Sequence, residues 1–156
     1  MALREILTID KYEEQLRKKS REVTEFDQRL HTLLDDMWDT LYKSGGVGLA
    51  APQVGILKRV VVIDIDDVRY ELINPVIKKA SGCQKSVEGC LSCPGLSGET
   101  KRPNKVTVGA YDRNGNYFEA TGKELMAKCF CHEIDHLDGI LYLDVCLKNS
   151  IVKDNF

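Results

Sequence analysis

Apolar residues recur at spacings of three and four along one early stretch. Phe26, Leu30, Leu33, Leu34, Met37, Trp38 and Leu41 form a single stripe, which predicts an amphipathic N-terminal helix from about Glu25 to Tyr42. Thr24 is its expected N-cap, with Asp27 three residues on, and Ser44-Gly45-Gly46 its stop. The period then changes. RVVVIDID at 59–66 is an unbroken β-branched run and reads as a buried strand. Asp66-Asp67 predicts a turn before a short strand at Arg69–Ile73, and Asn74-Pro75 a second turn. Val76-Ile77 and the stretch around Ser86–Leu91 read as extended, and KVTVGAYDRNGNYFEA reads as a hairpin joined at Asn114-Gly115. A last helical pattern runs from about Lys123 to Leu137 and halts at Asp138-Gly139. These elements predict an α+β fold: mostly antiparallel short strands around a buried C-terminal helix, with the N-terminal amphipathic helix beside them, in one domain over 1–156.

Composition narrows the functional classes. The chain has 156 residues, a net charge of −2 and scattered Lys and Arg, so no basic patch points to nucleic acid. The opening MALREILTIDKYEEQLRKK lacks the apolar core of a secretory signal, and no run approaches the ~18 apolar residues of a membrane span. With six cysteines and no export signal, reduced thiols and a cytoplasmic location are expected. Most of these cysteines are then small buried residues, with one or more left for a metal or for chemistry.

The chemistry gathers on the last helical pattern, in KELMAKCFCHEIDHLDGIL. On an α-helix His132 and His136 share a face, so both imidazoles can reach one metal ion. Glu133 follows the first of them, where it can act as a general base without ligating: the His-Glu-x-x-His logic of zinc hydrolases. Leu125 and Cys129 continue that stripe as an apolar wall, and Met126, Phe130, Ile134 and Leu137 make the opposite side apolar as well. His31 reads as a surface or boundary residue.

A catalytic metal site needs a third protein ligand. Downstream of His136 there is no further histidine, and the acids are Asp138, Asp144 and Asp154, so the metalloprotease pattern lacks its third ligand. SVEGCLSCPG offers Cys90 or Cys93 instead, with Gly89 allowing close backbone approach beside Cys90. Their CxxC spacing also fits a structural zinc knuckle, but no second knuckle partners it, since Cys129 and Cys131 are two apart on a helix. A cysteine nucleophile, Cys90 with His132 as base, is a further alternative that leaves Glu133 and His136 without a role.

GVGLAAPQ at 46–53, EGCLS at 88–92 and HEIDHLDG at 132–139 together resemble the three signature motifs of the peptide deformylases, in the same order and at similar separations. The resemblance implies a metal-dependent hydrolase that removes the N-terminal formyl group from the formylmethionine of nascent peptides, releasing formate. By the same resemblance Cys90, His132 and His136 are the metal ligands and Glu133 the acid/base. Gln53 and the Leu91 N–H polarise the formyl carbonyl. Val47, Gly48 and Gly89 form a rim for the peptide backbone, and Val47, Leu125 and Cys129 wall the methionine pocket. Glu88, Arg102 and Asp135 are implied to hold the ligands in place. One divalent metal per chain is implied, Fe(II) natively, with Zn, Ni or Co able to occupy the site. Two departures stand out: Cys93 directly beside the mouth of the site, and a short tail whose Lys148 and Lys153 are balanced by Asp144 and Asp154, which implies at most weak docking on the ribosome.

Overall fold

The computed structural model describes residues 2–153. In chain order the elements are α1 (Ile9–Leu16), α2 (Gln28–Ser44), β1 (Gly48–Ala50), a 3-10 turn (Ala51–Val54), β2 (Val60–Ile65), β3 (Val68–Ser81), β4 (Gln84–Glu88), β5 (Leu96–Arg102), β6 (Lys105–Tyr111), β7 (Tyr117–Lys123), α3 (Leu125–Leu137), α4 (Tyr142–Val145) and β8 (Val152–Lys153). Strands β1-β2-β3-β6-β7 form one sheet and β4-β5-β8 a second. Every pairing within them is antiparallel, so the α+β expectation holds.

β2 explains why VVVI is unbroken: both its faces are covered. Val61, Ile63 and Ile65 point to α3, packing with Leu72, Val108 and Ala110 of neighbouring strands against Phe130, Ile134 and Leu137. Val60 and Val62 point to the other side, where the α2 stripe of Leu30, Leu33, Leu34, Met37 and Leu41 covers them. Each such fully buried aliphatic side chain contributes ~1.5–3 kcal/mol of transfer free energy. A third cluster of Cys93, Leu141 and Tyr142, with Ile9 and Leu96 against it, ties α1 and α4 to the second sheet.

Several expectations shift. The N-cap of α2 is Asp27, not Thr24: its carboxylate accepts from Leu30 N–H at 3.1 Å. The helix therefore starts three residues later than expected and runs on to Ser44, ended by Gly45 at φ 76°. Asn74-Pro75 does not turn the chain. β3 passes straight through it, with a register shift between Ile73 and Val76. Asn74 takes a positive φ of 52° there, and its amide is clamped to the Val23 backbone, accepting from N–H at 2.8 Å and donating to the carbonyl at 2.9 Å. The residue-114 hairpin forms as expected, with Gly115 at φ 82°. α1, β1, the 3-10 turn, β5, α4 and β8 are additions to the predicted set. His31 is half-buried, its ring against the Arg113 carbonyl at 2.8 Å.

α3 is anchored at its C-terminal end by the segment after α1. Ser20 N–H donates to Leu137 O at 2.8 Å, and Arg59 donates to the same carbonyl at 3.0 Å. Gly139 makes this fit possible: φ is 73° and an added Cβ would lie 2.1 Å from the Arg17 carbonyl oxygen. Asp154 lies outside the described residues, and Asp144 pairs with Arg17. No helix of the described residues is long and apolar enough to cross a membrane.

Candidate metal centre

α3 presents His132 and His136 on one face, their rings 5.1 Å apart between centroids. Cys90 arrives from the turn after β4, a turn closed by the Cys93 N–H donating to Cys90 O at 2.9 Å. Its Sγ lies 3.3 Å from His136 Nε2. One donor atom from each of Cys90, His132 and His136 falls within 4.8 Å of the others. The hydrogen-bonded contact of Cys90 is with His136 rather than with His132, the base that a thiol nucleophile would need.

The donors suit a cation in chemistry as well as spacing. His132 Nδ1 is bound to Glu88 Oε1 at 2.7 Å, which leaves Nε2 for a metal. Burial opposes a charge on His132, but the Glu88 hydrogen bond and the carboxylates of Glu133 and Glu88 outweigh it and raise its pKa. Burial and the neighbouring His132 hold His136 well below the ordinary imidazole range, in the neutral form a ligand requires. Contact with the Cys93 thiol, then burial and the Glu133 charge, push the Cys90 thiol up, so a thiolate there needs a positive partner.

Behind the donors stands a buried ionic network. Arg102 grips Glu88 through two hydrogen bonds, 2.9 and 3.1 Å, and reaches Asp135 at 2.7 Å. Thr100 adds a further hydrogen bond to Glu88. Burial disfavours the Glu88 charge, but His132, Arg102 and Thr100 together hold its carboxyl far below the usual range. The three residues expected to support the ligands are thus one connected unit running from β4 and β5 to α3.

Glu133 is 5% exposed and its Oε1 has no hydrogen-bond partner. Desolvation pushes its pKa up to about 7. Gly48 lies directly against it: a Cβ at that position would be 2.7 Å from Oε2 and 2.9 Å from the Cys129 sulfur. Gln53 sits on the 3-10 turn, 1% exposed. Its Oε1 accepts from Ala50 N–H at 2.9 Å, and Nε2 points to Ser92 Oγ at 3.1 Å and Cys90 Sγ at 3.5 Å. The amide orientation follows from that acceptor–donor pairing. Leu91 lies within the Cys90 turn, one residue from Ser92.

These groups open onto a cavity of about 440 Å³. Gln53, Gly89, Cys90, Leu91, His132 and Glu133 line it, as do Val47, Gly48, Leu125 and Cys129. Val47 and Leu125 are rim residues, 43% and 44% exposed. β1 and β4 are the end strands of their respective sheets, and both border the cavity. Sequence reasoning missed Gly45, Gly46, Val87 and Lys128 in the lining. Lys128 was accessible to it, one turn before His132 on the same face, whereas Ser92 beside Gln53 and the Tyr142 ring stacked on His132 at 5.9 Å are purely tertiary neighbours. Cys93 is 1% exposed, beneath the site rather than at its mouth. Cys131 is buried on α3 and does not line the cavity.

A Cys-His-His donor set beside a buried glutamate, opening onto a cleft between two sheet edges, defines a metal-dependent hydrolase. The comparisons with known proteins resolve the class further. The chain belongs to the polypeptide deformylase family, whose model matches residues 3–150. It is 56% identical over 148 residues to the peptide deformylase of Caldicellulosiruptor bescii, covering 95% of this chain and 88% of that protein. The peptide deformylase of Alkaliphilus metalliredigens is 57% identical over 148 residues, covering 95% and 99%. Among solved structures, a peptide deformylase from Legionella pneumophila superposes with a TM-score of 0.89 at 45% identity, covering 94% of this chain and 87% of that one. A peptide deformylase from Synechococcus elongatus in complex with actinonin gives a TM-score of 0.89 at 36% identity, covering 94% and 80%.

Proposed function

We propose that this chain removes the formyl group from N-formylmethionyl nascent peptides at the cavity beside Cys90, His132 and His136, and that those three side chains hold one divalent cation. The observation that carries this reading is the convergence of a thiol and two imidazoles within 4.8 Å, beside a buried carboxyl and an amide N–H donor. A bound cation supplies Lewis acidity, which makes water a competent nucleophile near neutral pH. Resemblance to the family points to Fe(II) as the native cation, with Zn, Ni or Co as substitutes, and the thiolate donor makes it a softer, weaker Lewis acid than a third imidazole would.

The chain's own groups do the rest. Glu133, buried and with no partner at Oε1, takes a proton from the attacking water and returns it to the departing amine. Gln53 Nε2 and the Leu91 N–H donate to the formyl oxygen as charge develops on it. The end strands β1 and β4 receive the peptide backbone between Val47-Gly48 and Gly89, as an added strand. Val47, Leu125 and Cys129 take the methionine side chain. Glu88, held by Arg102, keeps His132 in the tautomer that leaves Nε2 free. The protein works in the cytoplasm, without nucleic acid or membrane, and docks on the ribosome at most weakly, since Lys148 and Lys153 stand against Asp144 rather than in a basic cluster.

The test is anaerobic formate release from formyl-Met-Ala-Ser, with metal analysis, on wild type, Glu133→Ala and Cys90→Ser. Wild type should lose activity to a chelator and recover it with Fe(II), and both variants should be nearly inactive. Full activity in Glu133→Ala, or activity indifferent to chelation, would overturn the assignment.

A further inference from the structure

Cys93 is a buried thiol that the hydrolytic site does not use. It is 1% exposed, packed with Leu141 and Tyr142, with Cys90 against the same cluster. It stands outside the donor set formed by Cys90, His132 and His136. Yet the backbone holds it close to Cys90: the Cys93 N–H to Cys90 O bond of 2.9 Å makes residues 90–93 a hydrogen-bonded turn. Such a turn keeps its end Cα atoms within ~7 Å, against the ~4.4–6.8 Å that disulfides span. Both side chains pack against the same small cluster around Leu141 and Tyr142. The turn is also braced from outside, by Ile9 N–H donating to Ser92 O at 2.8 Å and Gln53 Nε2 against Ser92 Oγ at 3.1 Å.

The two sulfurs differ in access. Cys90 is half-buried and lines the cavity, whereas Cys93 does not line it. A small oxidant entering from the cavity meets Cys90 first, with Cys93 waiting on its far side.

We propose that Cys93 is a resolving thiol for Cys90, so that a hydroperoxide converts the pair reversibly to a disulfide instead of destroying the Cys90 sulfur. The Cys90 thiolate attacks a peroxide oxygen, the O–O bond breaks, and the leaving hydroxide takes up a proton as water. Cys90 is then a sulfenic acid. The Cys93 sulfur attacks the Cys90 sulfur, the S–S bond forms and the S–O bond breaks. The second hydroxide leaves as water with the Cys93 proton. Both sulfurs are oxidised, and one hydrogen peroxide is reduced to two waters. A Cys90 sulfur bonded to Cys93 can no longer serve as a thiolate donor, so the cation is released and a dithiol reductant restores the site. This rests on the reading of Cys90 as a metal ligand.

The pair lies on one tryptic peptide, between Lys85 and Lys101, which contains no other cysteine. The experiment treats the metal-loaded full chain with hydrogen peroxide and follows that peptide by mass, the released metal by a chromophoric chelator, and formate release after dithiol reductant. Wild type should lose two hydrogens from the peptide, release metal, and recover both binding and activity on reduction. Cys93→Ala and Cys93→Ser, compared at matched unfolding midpoints, should instead gain two or three oxygens at Cys90 and recover less than a tenth of their activity. Oxygen addition to Cys90 in wild type without hydrogen loss would overturn the proposal, and that result needs no variant to fold. A cross-linked pair joining Cys90 to Cys129, or equal recovery in all three proteins, would overturn it too. Untreated Cys90→Ser that still binds metal and releases formate would defeat the ligand assignment instead, whatever the thiols do.

Discussion

Glu133 has almost no water around it, and Oε1 has no hydrogen-bond partner. In the metal-free protein burial pushes its folded pKa up to about 7, above the 4.5 of an exposed glutamate. The folded state therefore keeps the proton longer than the unfolded chain does. Stability is highest below the unfolded value and falls as pH rises towards 7, by ~3 kcal/mol in all. In urea unfolding of chelator-treated protein at about pH 5 and pH 8, wild type should lose more stability over that interval than Glu133→Gln, with the neutral His136 contributing in the opposite sense to both. The same substitution should slow formate release ~10²–10⁴-fold in the metal-loaded enzyme. Gly48→Ala would drive a methyl into Glu133 Oε2 and the Cys129 sulfur. It should lower kcat/KM at least ~10-fold, about 1.4 kcal/mol of transition-state stabilisation, with the protein still folded by circular dichroism. At this scale the sequence was most legible where chemistry follows a helical repeat. His132, Glu133 and His136 needed only the period of α3, and Leu125 and Cys129 came with them. Ser92 and Tyr142 answer to no repeat, because their contacts exist only after distant segments meet.

Elements were legible in proportion to how regularly they bury apolar residues. α2 and β2 are each read by a single rule, a stripe or an unbroken run, and both sit in the main core. β5 escaped because its buried positions are Gly98, Thr100 and Arg102, which close on Cys146 and Glu88 rather than on an apolar layer. α1 escaped because Leu16 is its sole buried residue. The start of α2 was misplaced because Thr24 and Asp27 are both credible caps by composition, and only geometry chooses between them. Asp27→Ala should then cost ~1 kcal/mol in denaturant unfolding, whereas Thr24→Ala should stay within ~0.5 kcal/mol. Gly139→Ala is the severe counterpart. Its positive φ and the Arg17 carbonyl at 2.1 Å oppose any side chain, so a loss above ~2 kcal/mol is expected from the same measurement.

At the scale of the molecule, Arg102 is the joint between the smaller sheet and α3. It is 7% exposed and holds two carboxylates, Glu88 and Asp135. Removing one partner of a buried pair leaves the others charged and desolvated, so Arg102→Met should destabilise by ~3–5 kcal/mol. By freeing Glu88 it should also weaken metal binding ~10–100-fold, read by competition with a chelating dye. The donors are equally a joint, and a long one. Gln53 and Cys90 are 37 residues apart, and Cys90 and His136 another 46. No hairpin or helix contains the site, so closing it waits on the slowest, most distant encounters of the chain. A cation captured there grips the protein after the barrier to folding has been crossed. It should leave the rate of folding unchanged and slow unfolding alone. In stopped-flow measurements the unfolding limb should drop on metal loading while the folding limb stays in place, so that the ion acts as a latch on the finished molecule.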